Sequence, residues 1–212
     1  MTYRIAVLLS GAGSNLQALL DAQRAGLLGP AEIGLVLSDR ADAYGLQRAL
    51  AQNLPTACVP LPSSPAGPLR VAARAAWEQR LARVATVFEP DLLVLAGFMR
   101  VLSASFLEQF PDQVINQHPA LLPDDGGSSV VSPSGYRLPV LRGANVVAEA
   151  LRLGLPATGC TVHRVTPRVD DGPILARAEV LILPDDSAAS LHERIKAEER
   201  RLIVEVVRGL AG

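Results

Sequence analysis

Two short apolar runs, Leu92–Ala96 and Val114–Ile115, each end in residues that could do chemistry. The first runs into Gly97-Phe98-Met99-Arg100 and the second into Asn116-Gln117-His118-Pro119. Side chains alternate along an extended segment, so Asn116 and His118, two residues apart, point to one side. Pro119 keeps His118 out of helical backbone angles. An amide and an imidazole are thus offered together at the carboxyl end of a predicted strand, where open α/β sheets bind ligands. The plain alternative is that a lone His beside a Pro is a turn residue.

A second candidate is Ser10-Gly11-Ala12-Gly13-Ser14-Asn15. It follows the strand-like run Arg4–Leu9 and precedes a helix patterned by Leu16, Leu19 and Leu20, with Ser14 or Asn15 as the expected cap. Strand, glycine turn and helix N-terminus form an anion site, because free N–H groups and the helix dipole face the turn. Gly11 and Gly13 match two glycines of a dinucleotide fingerprint, and Asp39 could serve as its ribose-binding acid. Leu16 stands where the third glycine belongs, so a single phosphate fits better than a dinucleotide. No Lys-Ser or Lys-Thr pair follows, which excludes a triphosphate-binding loop.

The elements that must position these groups alternate. Strands are expected at Glu32–Ser38, Leu54–Val59, Leu92–Ala96 and Val114–Gln117, with helices at Tyr44–Gln52, Leu69–Phe88 (Trp77 on its buried face) and Ser103–Gln109. Pro60–Pro68 reads as a connector. This βαβ alternation predicts a parallel sheet with right-handed crossovers. Asp124–Arg137, rich in Ser and Gly, reads as a surface loop, with Val130, Val131 and Tyr136 allowing a flap-like hairpin. Beyond it come a helix at Asn145–Leu153, strands at Ala157–Arg164 and Ile174–Leu183 around the acidic loop Thr166–Pro173, and a last helix at Ser187–Leu210.

The 212 residues, 49% of them apolar, suit one α/β domain over 1–212 with a sizeable core. A net charge of −1 offers no broad basic field for nucleic acid. We find no signal-peptide pattern and no apolar run near the length of a membrane helix, so a cytoplasmic protein is expected. Cys58 and Cys160 are far apart in apolar surroundings and read as buried free thiols. The three histidines lack metal-ligand spacing.

Four motifs carry a likeness: Ser10 to Leu19, Leu95 to Arg100, Asn116 to Pro123, and Val169-Asp170-Asp171-Gly172-Pro173. Together with Ala41–Leu46 and Leu191–Ile195, they resemble the phosphoribosylglycinamide formyltransferases of the folate-dependent formyltransferase family, over nearly the whole chain. The resemblance implies a Rossmann-like three-layer α/β fold with a mostly parallel central sheet. It implies transfer of a formyl group from the co-substrate 10-formyltetrahydrofolate to the amine of 5-phosphoribosylglycinamide. By motif match, Asn116, His118 and Asp170 would be catalytic, and Gly13, Ser14 and Asn15 would hold the substrate phosphate. Gly97, Pro119 and Glu199 would contact the acceptor. Phe98, Met99, Arg100, Val101, Leu102, Val165 and Val169 would flank the folate. No metal is implied. The partners would be these two small molecules, and the protein a monomer or homodimer.

The chemistry suits the residues. Acyl transfer to an amine passes through a tetrahedral intermediate with a negative oxygen, to which Asn116 and a protonated His118 can donate. Asp170 could keep the imidazole oriented and charged, or position a water that moves a proton. The amine is itself the nucleophile. His163 reads as a packed or supporting histidine, His192 as solvated, Asp171 as the outer acid of its pair, and Arg200-Arg201 as a solvated helix face. Two stretches depart from the family: Asp124–Arg137 looks inserted, and Pro139–Asn145 only loosely matches a Pro-Gly turn, which bears on acceptor identity. The competing functions are a formyltetrahydrofolate hydrolase, a sugar-amine formyltransferase, an inactive folate- or nucleotide-binding module and an NAD-dependent reductase.

Overall fold

The computed structural model describes residues 2–63 and 67–212, so part of the expected 60–68 connector lies outside the described residues. The first half alternates strand and helix: β1 (Tyr3–Leu9), α1 (Ser14–Arg24), β2 (Ala31–Ser38), α2 (Tyr44–Leu50), β3 (Thr56–Cys58), α3 (Pro68–Thr86), β4 (Leu92–Leu95), α4 (Ala104–Leu107) and β5 (Val114–His118). A hairpin follows, β6 (Ser129–Val131) and β7 (Arg137–Pro139), then α5 (Val146–Arg152), β8 (Ala157–Arg164), β9 (Ile174–Leu181) and α6 (Ala188–Ala211).

Seven strands form one sheet in the order β3-β2-β1-β4-β5-β8-β9. The strands from β3 to β5 are parallel, and β8 and β9 add antiparallel pairs at the far side. The chain first walks from β1 outward to β3, then returns to place β4 on the other side of β1. That reversal opens a crevice at the carboxyl ends of β1 and β4, the binding position of such sheets. The expected mostly parallel α/β sheet is therefore present.

Alternation along the strands supplies both cores. Ile5, Val7 and Leu9 join a cluster with residues of α1, α2, α5 and α6, while Ala6 and Leu8 join one with α3 and α4. Trp77 is fully buried in the second cluster, and its indole N–H donates to the Val59 carbonyl at 2.7 Å. A polar tip thus satisfied lets the ring contribute its apolar area, worth about 2–3 kcal/mol for a large side chain. The helix α6 begins with a capping box between Ser187 and Ser190 and buries Leu191, Ile195, Leu202 and Val206 along one stripe.

Two expectations are corrected here. Cys160 is buried, and burial pushes its thiol up to about 12, but Cys58 is exposed because β3 is a three-residue strand at the edge of the sheet. The 124–137 stretch is not a plain loop. It carries β6 and the start of β7, and Val130 and Leu138 are buried in a small cluster with Leu121 and Ala157. The flap-like hairpin is the form realised, and it is packed down rather than free. Among the described residues, no helix is long and apolar enough to cross a membrane.

Candidate active site

The glycine turn sits at the crevice. Neither Ser14 nor Asn15 caps α1, contrary to expectation; Gly13 takes that position with φ 70° and no side-chain bond. A side chain there would be strained, and its Cβ would stand 2.7 Å from the Gly45 Cα. The N–H groups of the first helical turn are therefore left for a ligand. The Gly45 N–H donates to the Gly11 carbonyl at 3.0 Å, and Arg48 Nε donates to the Ala12 carbonyl at 2.9 Å, so neighbouring α2 fixes the turn.

Asn116 and His118 share one face of β5, as alternation requires, and stand opposite His163 and Thr161 of β8. Thr161 fixes the residues that follow: its Oγ1 donates to the Ala120 carbonyl at 2.7 Å and accepts from the Leu122 N–H at 3.1 Å. Asp170, from the loop between β8 and β9, completes the group. Its Oδ2 lies 3.4 Å from His118 Nδ1 and its Oδ1 lies 3.6 Å from His163 Nε2. The three sequence candidates Asn116, His118 and Asp170 are thus brought together, with His163 behind them. His163 Nδ1 faces the Arg164 carbonyl at 2.8 Å, and a carbonyl only accepts, so Nδ1 carries the proton. Its Nε2 lies 3.2 Å from the Asn116 amide nitrogen, so the ring sits between that amide and Asp170 and fixes the amide's position.

The electrostatics differ from the simple expectation. Burial holds the His118 pKa below its ordinary value, outweighing the upward pull of Asp170 and of the Leu141 carbonyl. Burial thus opposes the charged form that the nearby acid favours. For Asp170 burial pushes upward, but the His163 and His118 rings and the Gly143 N–H together hold it below the ordinary carboxylate range. His118 Nε2 donates to the Leu141 carbonyl at 2.8 Å, and the Gly143 N–H donates to Asp170 Oδ2 at 2.8 Å. Asp171 is not the solvated acid expected: its side chain is 10% exposed against 8% for Asp170, and it pairs with Arg168 at 2.8 Å under the Arg142 guanidinium.

The residues expected to flank a folate divide by exposure. Met99, Val101 and Val169 are exposed, whereas Phe98 and Leu102 are buried in the α3–α4 core, Phe98 stacked on Trp77. Phe98 and Leu102 can serve a ligand only through their backbone. Val165 is partly buried, its N–H donating to the Val114 carbonyl at 2.9 Å. Arg100 is turned inward, with Nε donating to Asp39 at 2.6 Å. Gly97 and Pro119 are half-buried at the ends of β4 and β5. On the opposite face of the sheet Glu199 is buried on α6, and burial raises its carboxyl to about 7 against the pull of Asn15, Lys196 and Arg200. Asn15 Oδ1 is buried with no protein partner.

Sequence reasoning missed Leu141, Arg142 and Thr161. A backbone carbonyl leaves no signature in side-chain types, and the role of Thr161 follows from a strand register that the sequence does not reveal. Glu199 had a readable signal: it falls in the stripe of Leu191, Ile195, Leu202 and Val206 on α6. Among the described residues no cluster of His, Cys, Asp or Glu could hold a metal ion.

Comparison with known proteins shows the family. The family described as formyl transferase matches residues 3–207. The phosphoribosylglycinamide formyltransferase of Mycobacterium tuberculosis strain H37Rv is 39% identical over 208 residues, covering 98% of this chain and 85% of that protein. The trifunctional purine biosynthetic protein adenosine-3 of Drosophila melanogaster is 38% identical over 213 residues, covering 98% of this chain and 14% of that protein. The crystal structure of glycinamide ribonucleotide transformylase 1 from Symbiobacterium toebii superposes with a TM-score of 0.84 at 38% identity, covering 99% of this chain and 88% of that one. The chain belongs to the formyl transferase family.

Proposed function

We propose that the chain transfers the formyl group of 10-formyltetrahydrofolate to the amine of 5-phosphoribosylglycinamide, a step of purine biosynthesis. The observation that carries this is the convergence of Asn116, His118 and Asp170 at the carboxyl end of β5, on the same edge of the sheet as a glycine turn whose helix N-terminus has no side-chain cap. The names of the relatives support it.

The acceptor amine attacks the formyl carbon, a carbon–nitrogen bond forms, and negative charge gathers on the formyl oxygen. The Asn116 amide, oriented by His163, donates to that oxygen. His118 starts with its pKa lowered by burial. Negative charge arriving beside it raises that pKa, so the charged, doubly protonated ring is increasingly favoured as the intermediate forms. An interaction that strengthens in the transition state accelerates the reaction, rather than merely binding substrate. Asp170 keeps the ring oriented and takes part in moving the amine proton to the folate nitrogen; the intermediate then collapses, the formyl carbonyl re-forms, and the bond from the formyl carbon to that nitrogen breaks, the nitrogen leaving with the proton. Gly13, Ser14 and Asn15 hold the substrate phosphate, and Gly97, Pro119 and Glu199 line the acceptor. Met99, Val101 and Val169 meet the folate through side chains, and Phe98, Arg100, Leu102 and Val165 shape its wall. The enzyme works in the cytoplasm, a reading supported by the purine-biosynthetic names of the relatives; that it is a monomer or homodimer rests on the resemblance alone. The 124–137 hairpin is an insertion relative to the family, supported by its position between the β5 motif and the segment that matches the family only loosely.

The test is formyl transfer measured with the acceptor present and then omitted. Turnover that depends on 5-phosphoribosylglycinamide is expected. Equal turnover without it would show a hydrolase, and turnover only with a sugar amine would move the acceptor assignment.

A further inference from the structure

Three consecutive residues after the hairpin each hold one part of the His118–Asp170 pair. The Leu141 carbonyl accepts from His118 Nε2, and the Gly143 N–H donates to Asp170 Oδ2. Between them Arg142 Nε donates to the Asp170 backbone carbonyl at 3.1 Å. The far nitrogen of the same guanidinium, Nη2, donates to the Gly126 and Gly127 carbonyls, each at 3.1 Å, and lies 3.6 Å from Asp171 Oδ1. One planar group therefore fastens the start of the hairpin segment to the loop between β8 and β9. Asp170 is held in a left-handed conformation, φ 50°, which a non-glycine residue keeps only when its surroundings impose it, at about 1–3 kcal/mol. Arg142 grips the carbonyl of that same residue.

We propose that Arg142 is a positioning residue for the reaction: it locks the Asp170 loop against the 126–127 turn and so keeps the Asp170 carboxylate on His118. This rests on the catalytic reading of that pair given above. Arg142 touches no reacting atom. Its donors are needed in a fixed fork, because its acceptors lie on two separate loops and no single ammonium could reach them in one plane. Displacements of about 1 Å at a reacting group cost roughly a hundredfold in rate, so loosening this clamp falls on kcat and not on substrate affinity.

The experiment is a double-variant cycle on the full chain, with kcat and both KM values read for Arg142→Met, Asp170→Asn and the pair. Arg142→Met should lower kcat about 10- to 100-fold, with both KM values within about threefold. In the Asp170→Asn background the same change should cost less than about threefold, because the group it positions is already disabled. A general structural role would lower kcat by the same factor in both backgrounds, and that result, or an unchanged kcat in Arg142→Met, overturns the proposal. If Arg142→Met does not fold, Arg142→Lys carries the same cycle. It keeps the charge but not the fork, and wild-type kcat in it overturns the proposal equally. Wild-type kcat in Asp170→Asn alone would instead overturn the catalytic reading on which this rests.

Discussion

Glu199 lies on the buried stripe of α6, beside Asn15 of the first turn of α1, and replacing it by Gln isolates the effect of its charge. The residue is 6% exposed, and its carboxyl is raised to about 7 in the folded chain, against an ordinary 4.5, chiefly because burial disfavours the anion. A folded pKa above the unfolded one means that the folded state holds the proton more tightly. The associated stability is complete below pH 4.5 and is lost as pH rises through about 7. At about 1.4 kcal/mol per decade the loss totals roughly 3 kcal/mol, of which about 2.5 kcal/mol falls between pH 5 and pH 8.5. Gln keeps the shape and a neutral amide at every pH. Glu199→Gln should therefore gain on the wild type by about 2–3 kcal/mol as pH is raised across that interval. Urea unfolding of both proteins at pH 5, 7 and 8.5 measures it, with m-values compared to show that only stability changed. A difference between the two proteins that is flat with pH, within about 0.5 kcal/mol, would refute the claim that the carboxyl is kept neutral by burial.

Asp170→Asn should leave both KM values near the wild type and lower kcat by about two to four orders of magnitude in steady-state assays; Asn116→Ala and His118→Ala should do the same, and wild-type kcat in any of them removes that residue from the mechanism. Gly13→Ala should raise the KM of the phosphorylated acceptor by about tenfold or more while the folate KM stays within about twofold, as expected where a Cβ distorts N–H groups that grip an anion; equal KM values for acceptor with and without its phosphate would dismiss the site. Gly172→Ala would put a Cβ 1.8 Å from the Arg164 carbonyl oxygen, so thermal melting should fall by the equivalent of several kcal/mol, and a wild-type melt would contradict that packing. Replacing Gly126–Gly135 by a short Gly/Ser link removes the buried Val130, so the melting temperature should fall by roughly 5 °C, the equivalent of about 2 kcal/mol, and not rise as for a passive loop.

The framework was open to reading because it rests on local patterns. The β-branched run of Arg4–Leu9, the leucine spacing after Ser14 and the apolar stripe of α6 each state their element directly, and the elements fall within a few residues of expectation. Asn116 and His118 were legible as a pair because alternation puts them on one face whatever the rest of the fold does. The remainder depends on contacts between distant segments. That His163 would orient Asn116 follows from the antiparallel register of β5 with β8, which no local pattern encodes. The lowered pKa of His118 needs the depth of burial, whereas sequence supplies only the acid that pulls the other way. Cys58 looked buried because its neighbours are apolar, but a short edge strand cannot cover both its faces. The 124–137 stretch looked like a loop because its composition is Ser- and Gly-rich, and Val130 alone carries its attachment to Leu121 and Ala157 from within that stretch.

Ser10 and Asp39 explain how two binding positions can keep a fixed separation. Ser10 ends at the phosphate turn, and its Oγ donates to Asp39 Oδ1 at 2.6 Å while accepting from the Met99 N–H at 2.9 Å. Arg100 Nε donates to the other oxygen, Asp39 Oδ2, at 2.6 Å, and the Ser10 N–H donates to the Gly97 carbonyl at 3.0 Å. The glycine turn and the segment after β4 are therefore one hydrogen-bonded body, and the Ser10 and Asp39 side chains at its centre are shielded from water, which strengthens their bonds. Transfer between two bound molecules requires their reacting atoms to be held at contact distance, and such holding supplies much of the rate. On the proposed site assignment, this link would hold the two molecules at a fixed separation. The same bonds decide the dinucleotide alternative. Asp39 stands where a ribose-binding acid would, but both its oxygens are engaged by Ser10 and Arg100, and its carboxylate is buried. A ribose diol would have to displace a charged guanidinium to reach it, so the acid that resembles a dinucleotide fingerprint here fastens the protein to itself.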